Sequence, residues 1–204
     1  MGHATVPNRL SRNPFALPRG TLGRAAGWVM ARTNEPSQRE VAERLQVSAG
    51  ERVVEVGYGP GRLARRLLDT TPAAKVAGVD PSGAMLVQAG RATQPYARSG
   101  RLDLRLGVAG DLPWADGSFD HAVSVNTVEN WQDLTRGLAE MQRVLAEGGT
   151  ALVAWHSADA PGRTQRALAL PDQRIEAIQR EMARVFGEAE REDLGHVVAL
   201  VAHR

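Results

Sequence analysis

The chain has 204 residues, 43% hydrophobic and 24% charged, with a formal net charge of +2 and no cysteine. That length suits one domain with a proper core, and the lack of cysteine excludes disulfides and thiolate metal sites. So small a net charge makes no case for nucleic acid, and no apolar run nears the roughly 20 residues that span a bilayer. The expectation is a cytoplasmic protein without a metal, a monomer or a homodimer. Lys75 is the only lysine; the arginine excess reads as coding bias, although it keeps bidentate anion contacts available.

Residues 1–34 carry Arg9, Arg12, Arg19, Arg24 and Arg32 and no acid, and prolines at 7, 14 and 18 interrupt any long helix. The expected organisation is a basic arm over residues 1–35, a candidate lid, followed by a single domain over 36–204. A short helix is predicted at 22–32, and a second from Pro36 to Leu45 with Val41 and Leu45 on one side. A strand at 52–57 runs into glycines at 57, 59 and 61, and a helix follows from Gly61 to Asp69. The next strand, from Lys75 to Val79, ends in Asp80. Ser82 can cap a helix running to about Ala97, with Pro95 favouring an early stop.

A third strand covers 102–106, where Leu102, Leu104 and Leu106 alternate with Asp103 and Arg105. Gly110-Asp111-Leu112-Pro113 is a loop, and a strand follows at 119–125. Leu134, Leu138, Met141, Val144 and Leu145 fit a helix over 133–146, stopped by Gly148-Gly149. The strand at 150–155 is apolar on both faces, residues 158–171 read as loop, and 172–185 as helix. A short charged strand at 188–193 and an apolar strand at 196–203 close the chain. Five strand–helix alternations imply an α/β, doubly wound, Rossmann-like sheet with helices on both faces.

The glycine turn is where such a fold holds a nucleotide, because glycine permits special backbone angles and the next helix aims its free N–H groups at the turn. A dinucleotide fingerprint, G-x-G-x-x-G, fails from Gly57, where its third position is Arg62. From Gly59 the third position is Ala64, which the pattern tolerates, so that register stays open. A P-loop is excluded. Glu55 at the strand end would repel a pyrophosphate and suits a ligand with a cationic ammonium and sulfonium. Asp80 can accept both hydroxyls of a ribose, and Asp111 can accept from an adenine amino group. Three carboxylates at three consecutive strand ends match S-adenosylmethionine.

These residues resemble the class I S-adenosylmethionine-dependent methyltransferases. Glu55-Val56-Gly57-Tyr58-Gly59-Pro60-Gly61 looks like the first motif, Asp80 the ribose acid, and Gly110-Asp111-Leu112-Pro113 the adenine loop. Ser118-Phe119-Asp120 with Val125-Asn126 resembles the fourth-strand motif. Arg143 to Gly149 resembles the turn before strand five, with Ala146-Glu147 where many relatives have Lys-Pro. The nearest flavour is the small-molecule group that includes quinone-biosynthesis enzymes. The resemblance implies a seven-stranded sheet with an antiparallel C-terminal strand. It implies that Glu55, Gly57, Tyr58, Gly59, Gly61, Asp80, Pro81, Met85, Gly110, Asp111, Leu112, Asn126 and Thr127 hold the donor, leaving S-adenosylhomocysteine as product. Tyr58 either shapes the methionine end or packs outward, and Asp120 reads as structural.

Methyl transfer from a sulfonium needs placement more than acid–base help. Should a base be required, His156 is the first candidate, because imidazole titrates near neutral pH, and Glu129 the second. Trp131, Trp155 and Asn130 are the candidate walls for a small-molecule acceptor, with residues 1–40 supplying the remainder. The alternatives are an enzyme of the same fold that uses the cofactor for other chemistry, or a non-catalytic cofactor-binding module.

Overall fold

The computed structural model describes residues 35–96 and 98–204. The arm up to residue 34 and the helix expected at 22–32 lie outside the described residues.

The strands are β1 (Arg52–Val56), β2 (Lys75–Asp80), β3 (Leu102–Leu106), β4 (Phe119–Val125), β5 (Leu145–His156), β6 (Glu190–Asp193) and β7 (Val197–His203). The helices are α1 (Glu35–Leu45), α2 (Arg62–Thr70), α3 (Gly83–Ala92), α4 (Leu134–Val144), α5 (Arg163–Ala167) and α6 (Asp172–Phe186). The strands form one seven-stranded sheet in the order β3-β2-β1-β4-β5-β7-β6. The first five pair in parallel, and β7 runs antiparallel to both β5 and β6. The chain steps outward from β1 to β3 and then returns to β4, so a topological switch point lies at the C-terminal ends of β1 and β4. Open α/β sheets place their ligands there.

Alternation along β1 divides the core. Val54 and Val56 join Leu138, Met141, Ile178 and Met182 under α4 and α6. Val53 joins Val41, Leu45, Leu63 and Leu67 under α1 and α2. Glu55 shares Val53's parity and therefore faces α1 and α2.

Local boundaries depart from the sequence expectations where pairing overrides propensity. The helix expected to reach 146 ends at Val144, because Leu145 is fully buried and already pairs with Phe119. Gly148, at φ +75°, donates its N–H to Arg204 O at 2.9 Å, so the glycine pair sits within β5. The segment 107–118 between β3 and β4 contains no helix, which leaves one expected alternation unfilled. The stretch read as loop over 158–171 contains the short α5. Helix α3 stops at Ala92, ahead of a 3-10 turn over Gln94–Tyr96 that contains Pro95. Ser82 caps α3 by accepting from the Met85 N–H at 3.4 Å.

Candidate active site

The first strand ends at Val56, and Gly57, Gly59 and Gly61 follow at φ +86°, +51° and +76°. All three lie in the left-handed region that glycine enters without strain. The loop is also clamped from both sides. A Cβ on residue 57 would stand 2.6 Å from the Thr127 side chain, and one on residue 61 would stand 2.8 Å from Ala89 Cβ. Thr127 is itself fixed, since its hydroxyl donates to Val56 O at 3.0 Å and meets Ser124 Oγ at 2.7 Å. Gly61 forms the N-cap of α2 and has no side chain to bond the first-turn N–H groups.

Two buried carboxylates stand at the neighbouring strand ends. Asp80, 8% exposed, accepts from the Gly59 N–H and the Ser82 N–H, each at 2.9 Å. Burial raises its pKa, and those two hydrogen bonds oppose the rise. Glu55, 4% exposed, has one oxygen, Oε2, with no hydrogen-bond partner. Burial pushes its pKa well up, the nearby Asp80 charge adds to the rise, and the Ala64 backbone N–H at the open end of α2 pulls the other way. Tyr58 is buried against Met85 and Ala89. Its phenol pKa is raised by burial, with Asp80 and Glu55 adding to the effect.

These groups border a cavity of about 690 Å³, within the range of small-molecule sites. Of the residues singled out from the sequence, its wall takes in Glu55, Gly57, Tyr58, Gly59, Asp80, Pro81, Met85, Gly110, Asp111, Asn126, Thr127, Asn130 and Trp131. Asp111 is exposed and sits in a tight loop where its N–H donates to Val108 O at 3.2 Å. Asn126 takes φ +56°. Its Oδ1 accepts from the His156 backbone N–H at 2.9 Å, and its Nδ2 is buried without a partner.

Five of the expected residues are not part of this wall. Gly61 packs against Ala89 instead. Leu112 is a core side chain whose backbone N–H donates to Glu140 Oε2 at 2.7 Å. Glu129 pairs with Arg174 at 2.7 Å, at the surface. Trp155 leans on the core and donates its indole N–H to Leu168 O at 2.8 Å. His156 is buried, and burial lowers its pKa to about 4. An imidazole with so low a pKa is a weak proton acceptor near neutrality. Asp120 behaves as structural, accepting from the Arg52 backbone N–H at 2.8 Å.

The structure adds wall residues that the sequence reading passed over, chiefly Gln38, Gln132, Asp133 and Arg136. Gln38 had a visible signal. It lies three residues before Val41 and seven before Leu45, a polar residue in the apolar stripe of α1. The fold around this carboxylate-lined glycine crevice is of the Rossmann-like α/β class.

Comparison with known proteins supports a class I S-adenosylmethionine-dependent methyltransferase. A family model described as a methyltransferase domain matches residues 54–153. The chain is 28% identical over 150 residues to the uncharacterised methyltransferase YdaC of Bacillus subtilis, covering 74% of this chain and 81% of the relative. It is 28% identical over 117 residues to the ubiquinone/menaquinone biosynthesis C-methyltransferase UbiE of Geotalea daltonii, covering 57% of this chain but only 50% of that one. A solved structure from Methanococcus maripaludis, assigned as an S-adenosyl-L-methionine-dependent methyltransferase, superposes with a TM-score of 0.74. It covers 100% of this chain and 97% of its own at 15% identity, a likeness of fold alone.

Proposed function

We propose that this chain binds S-adenosylmethionine in the glycine crevice and places a small-molecule acceptor in line with its methyl group. The observation that carries the reading is Glu55 Oε2, a buried carboxylate oxygen without a partner at the cavity wall. A buried charge left unpaired is costly, and a cationic ligand group is its natural complement. When bound, S-adenosylmethionine supplies a methyl group already activated by the sulfonium.

The chain's own residues then hold and orient. Glu55 faces the ammonium, Asp80 accepts from the ribose hydroxyls, and Gly57 and Gly59 let the backbone lie close to the ligand. Asp111 and Gly110 border the adenine. Trp131 and Asn130 wall the acceptor side, and their indole and carboxamide suit a planar, mainly apolar acceptor with polar substituents. That description fits a quinone-like acceptor, the class served by the ubiquinone/menaquinone biosynthesis C-methyltransferase to which the chain is similar. Neither His156 nor Glu129 takes part as a base, and the acceptor brings its own nucleophilicity.

Calorimetry with S-adenosylmethionine, S-adenosylhomocysteine and NAD tests the reading. The first two are expected to bind, and Asp80→Ala should weaken S-adenosylhomocysteine by about 100-fold, the value of hydrogen bonds to a charged acceptor. Binding of NAD alone, or unchanged affinity in Asp80→Ala, would overturn it.

A further inference from the structure

The sheet ends in β3 on one side and β6 on the other. Strand β6 reads Glu190-Arg191-Glu192-Asp193, three acids and one arginine, with Glu192 held by Arg44 and Arg191 by Asp172. Charge of that kind blunts an edge against a further strand. Strand β3 reads Leu102-Asp103-Leu104-Arg105-Leu106, and among the described residues no strand lies on its outer side. Leu106 is 55% exposed, an apolar end on an open edge.

The ladder to β2 decides which backbone groups of β3 are free. Arg101 O accepts from the Val76 N–H at 2.8 Å, and the Gly107 N–H donates to Asp80 O at 3.2 Å. Odd-numbered residues therefore turn their N–H and C=O groups toward β2. Leu102, Leu104 and Leu106 have the opposite parity and turn theirs outward. The side chains alternate as well. Leu102 and Leu104 lean on the core on the α2/α3 side. Asp103 and Arg105 stand on the other face, where Asp103 accepts from the Trp114 indole N–H at 3.1 Å and Arg105 lies over the same ring.

This strand is its own complement. Opposite residues of an antiparallel pair share a face, so a second copy of β3 must set leucine against leucine. Centred on Leu104, the pair places Asp103 opposite Arg105 of the second copy and Leu102 opposite its Leu106. Centred on Asp103, it would oppose aspartate to aspartate and Arg101 to Arg105. Centred on Arg105, it would oppose arginine to arginine. Like charges directly opposite are destabilising, so charge selects the first register. In that register the leucine pairs exchange the backbone hydrogen bonds. The Asp103–Arg105 pairs fall at the non-hydrogen-bonded positions, where side chains come closest. Each copy's Leu102 also covers the other's exposed Leu106.

We infer that β3 is a dimer seam, at which two copies of this chain join edge to edge about a two-fold axis at Leu104 into one continuous sheet. The inference does not rest on the donor reading, and its test adds no ligand.

The test is sedimentation equilibrium on the full chain at micromolar concentration, with circular dichroism to report folding. Wild type should have twice the mass of one chain. Leu106→Pro removes an N–H that crosses the seam and leaves every bond to β2 in place, so it should stay folded and weaken the dimer about tenfold or more. Arg105→Asp and Asp103→Arg each set like charges opposite one another, and each protein alone should be monomeric. Mixed in equal amounts, the two variants place opposite charges across the seam and should form a heterodimer, which no contact within one chain can explain. Monomeric wild type overturns the seam, as does a dimer that survives Leu106→Pro at full strength. Folded charge variants that stay apart when mixed overturn it too. Should either charge variant lose its folded spectrum, Leu106→Pro decides alone.

Discussion

The two sides of the crevice are built differently. Over β1 and β2, each functional group is the end of a strand or the loop directly after it. Glu55 and Asp80 are placed by register, and the glycines between them by left-handed backbone and contact with Thr127 and Ala89. Over β4 and β5, the groups with the most familiar chemistry face away or are already engaged. His156 is buried and neutral, Trp155 bonds Leu168, and Glu129 bonds Arg174. The side that carries Glu55 and Asp80 is fixed by the sheet, whereas the wall at Asn130 and Trp131 is shaped by the loop after β4. Relatives can therefore share the first while differing in the second.

The largest effect should come from the clamp. Gly57→Ala forces an L-residue to φ +86° and drives its Cβ into Thr127 at 2.6 Å. Left-handed strain and overpacking together should cost about 2–5 kcal/mol. Urea unfolding would read it, and Thr127→Gly, which removes the Thr127 Cβ that would stand 2.7 Å away as well as its branches, should recover the packing part in a double-mutant cycle. Gly59→Ala meets no atom within 4 Å and should lose only about 1 kcal/mol of strain. Equal losses at the two glycines would show that the clamp is not the cause.

The next contrast sets His156 against Glu55, because burial moves their pKa values in opposite directions relative to the unfolded chain. His156 titrates at about 4 when folded and near 6.5 when unfolded. Below pH 6.5 the unfolded chain therefore binds more protons, and stability falls from there to about pH 4 by up to about 3 kcal/mol. His156→Gln should flatten that slope while leaving S-adenosylhomocysteine affinity within about twofold. A large loss of affinity would return His156 to the site. For Glu55 the folded pKa is raised from 4.5, so the folded chain binds more protons above that pH and stability falls as pH rises through the folded value. The groups facing Glu55 reinforce this, since Asp80 is raised in the same direction and Tyr58 is a neutral phenol. Glu55→Gln should make the ligand-free protein more stable at pH 7 and bind S-adenosylhomocysteine more weakly. A variant that loses both would mean that the carboxylate stabilises the fold instead of awaiting a ligand.

The same asymmetry explains what could be read without a structure. The places of Glu55, Gly57, Asp80 and Asn126 in the fold were legible because strand parity and the position of a strand end fix them, and both follow from local pattern. The antiparallel β7 followed from resemblance, not from periodicity. His156 and Trp155 were misleading because residue type suggests chemistry, whereas burial and one backbone hydrogen bond decide direction. Gln38 went unnoticed because it reaches the cavity wall only through packing of α1 on the sheet, a long-range event. The end of α4 was missed for a similar reason, because pairing of Leu145 with Phe119 is a long-range event.

The smallest effect tests the outer edge of the acceptor side. Glu129 meets Arg174 at 2.7 Å, with the two side chains 28% and 44% exposed. Water screens a pair of that kind, and such pairs contribute about 0–1 kcal/mol. Glu129→Gln keeps the shape and removes the charge, so thermal unfolding should shift little, and less still in high salt. If the pair has any role beyond the surface, it is to tie the turn at Val128–Asn130 to α6 and so to steady Asn130 and Trp131 in the wall. That role predicts unchanged S-adenosylhomocysteine affinity together with faster quenching of tryptophan emission in Glu129→Gln than in wild type. Trp131→Phe in the same background should remove the difference. Identical quenching in both proteins would leave Glu129 as a solvated surface charge and place the acceptor wall's rigidity entirely in the backbone after β4.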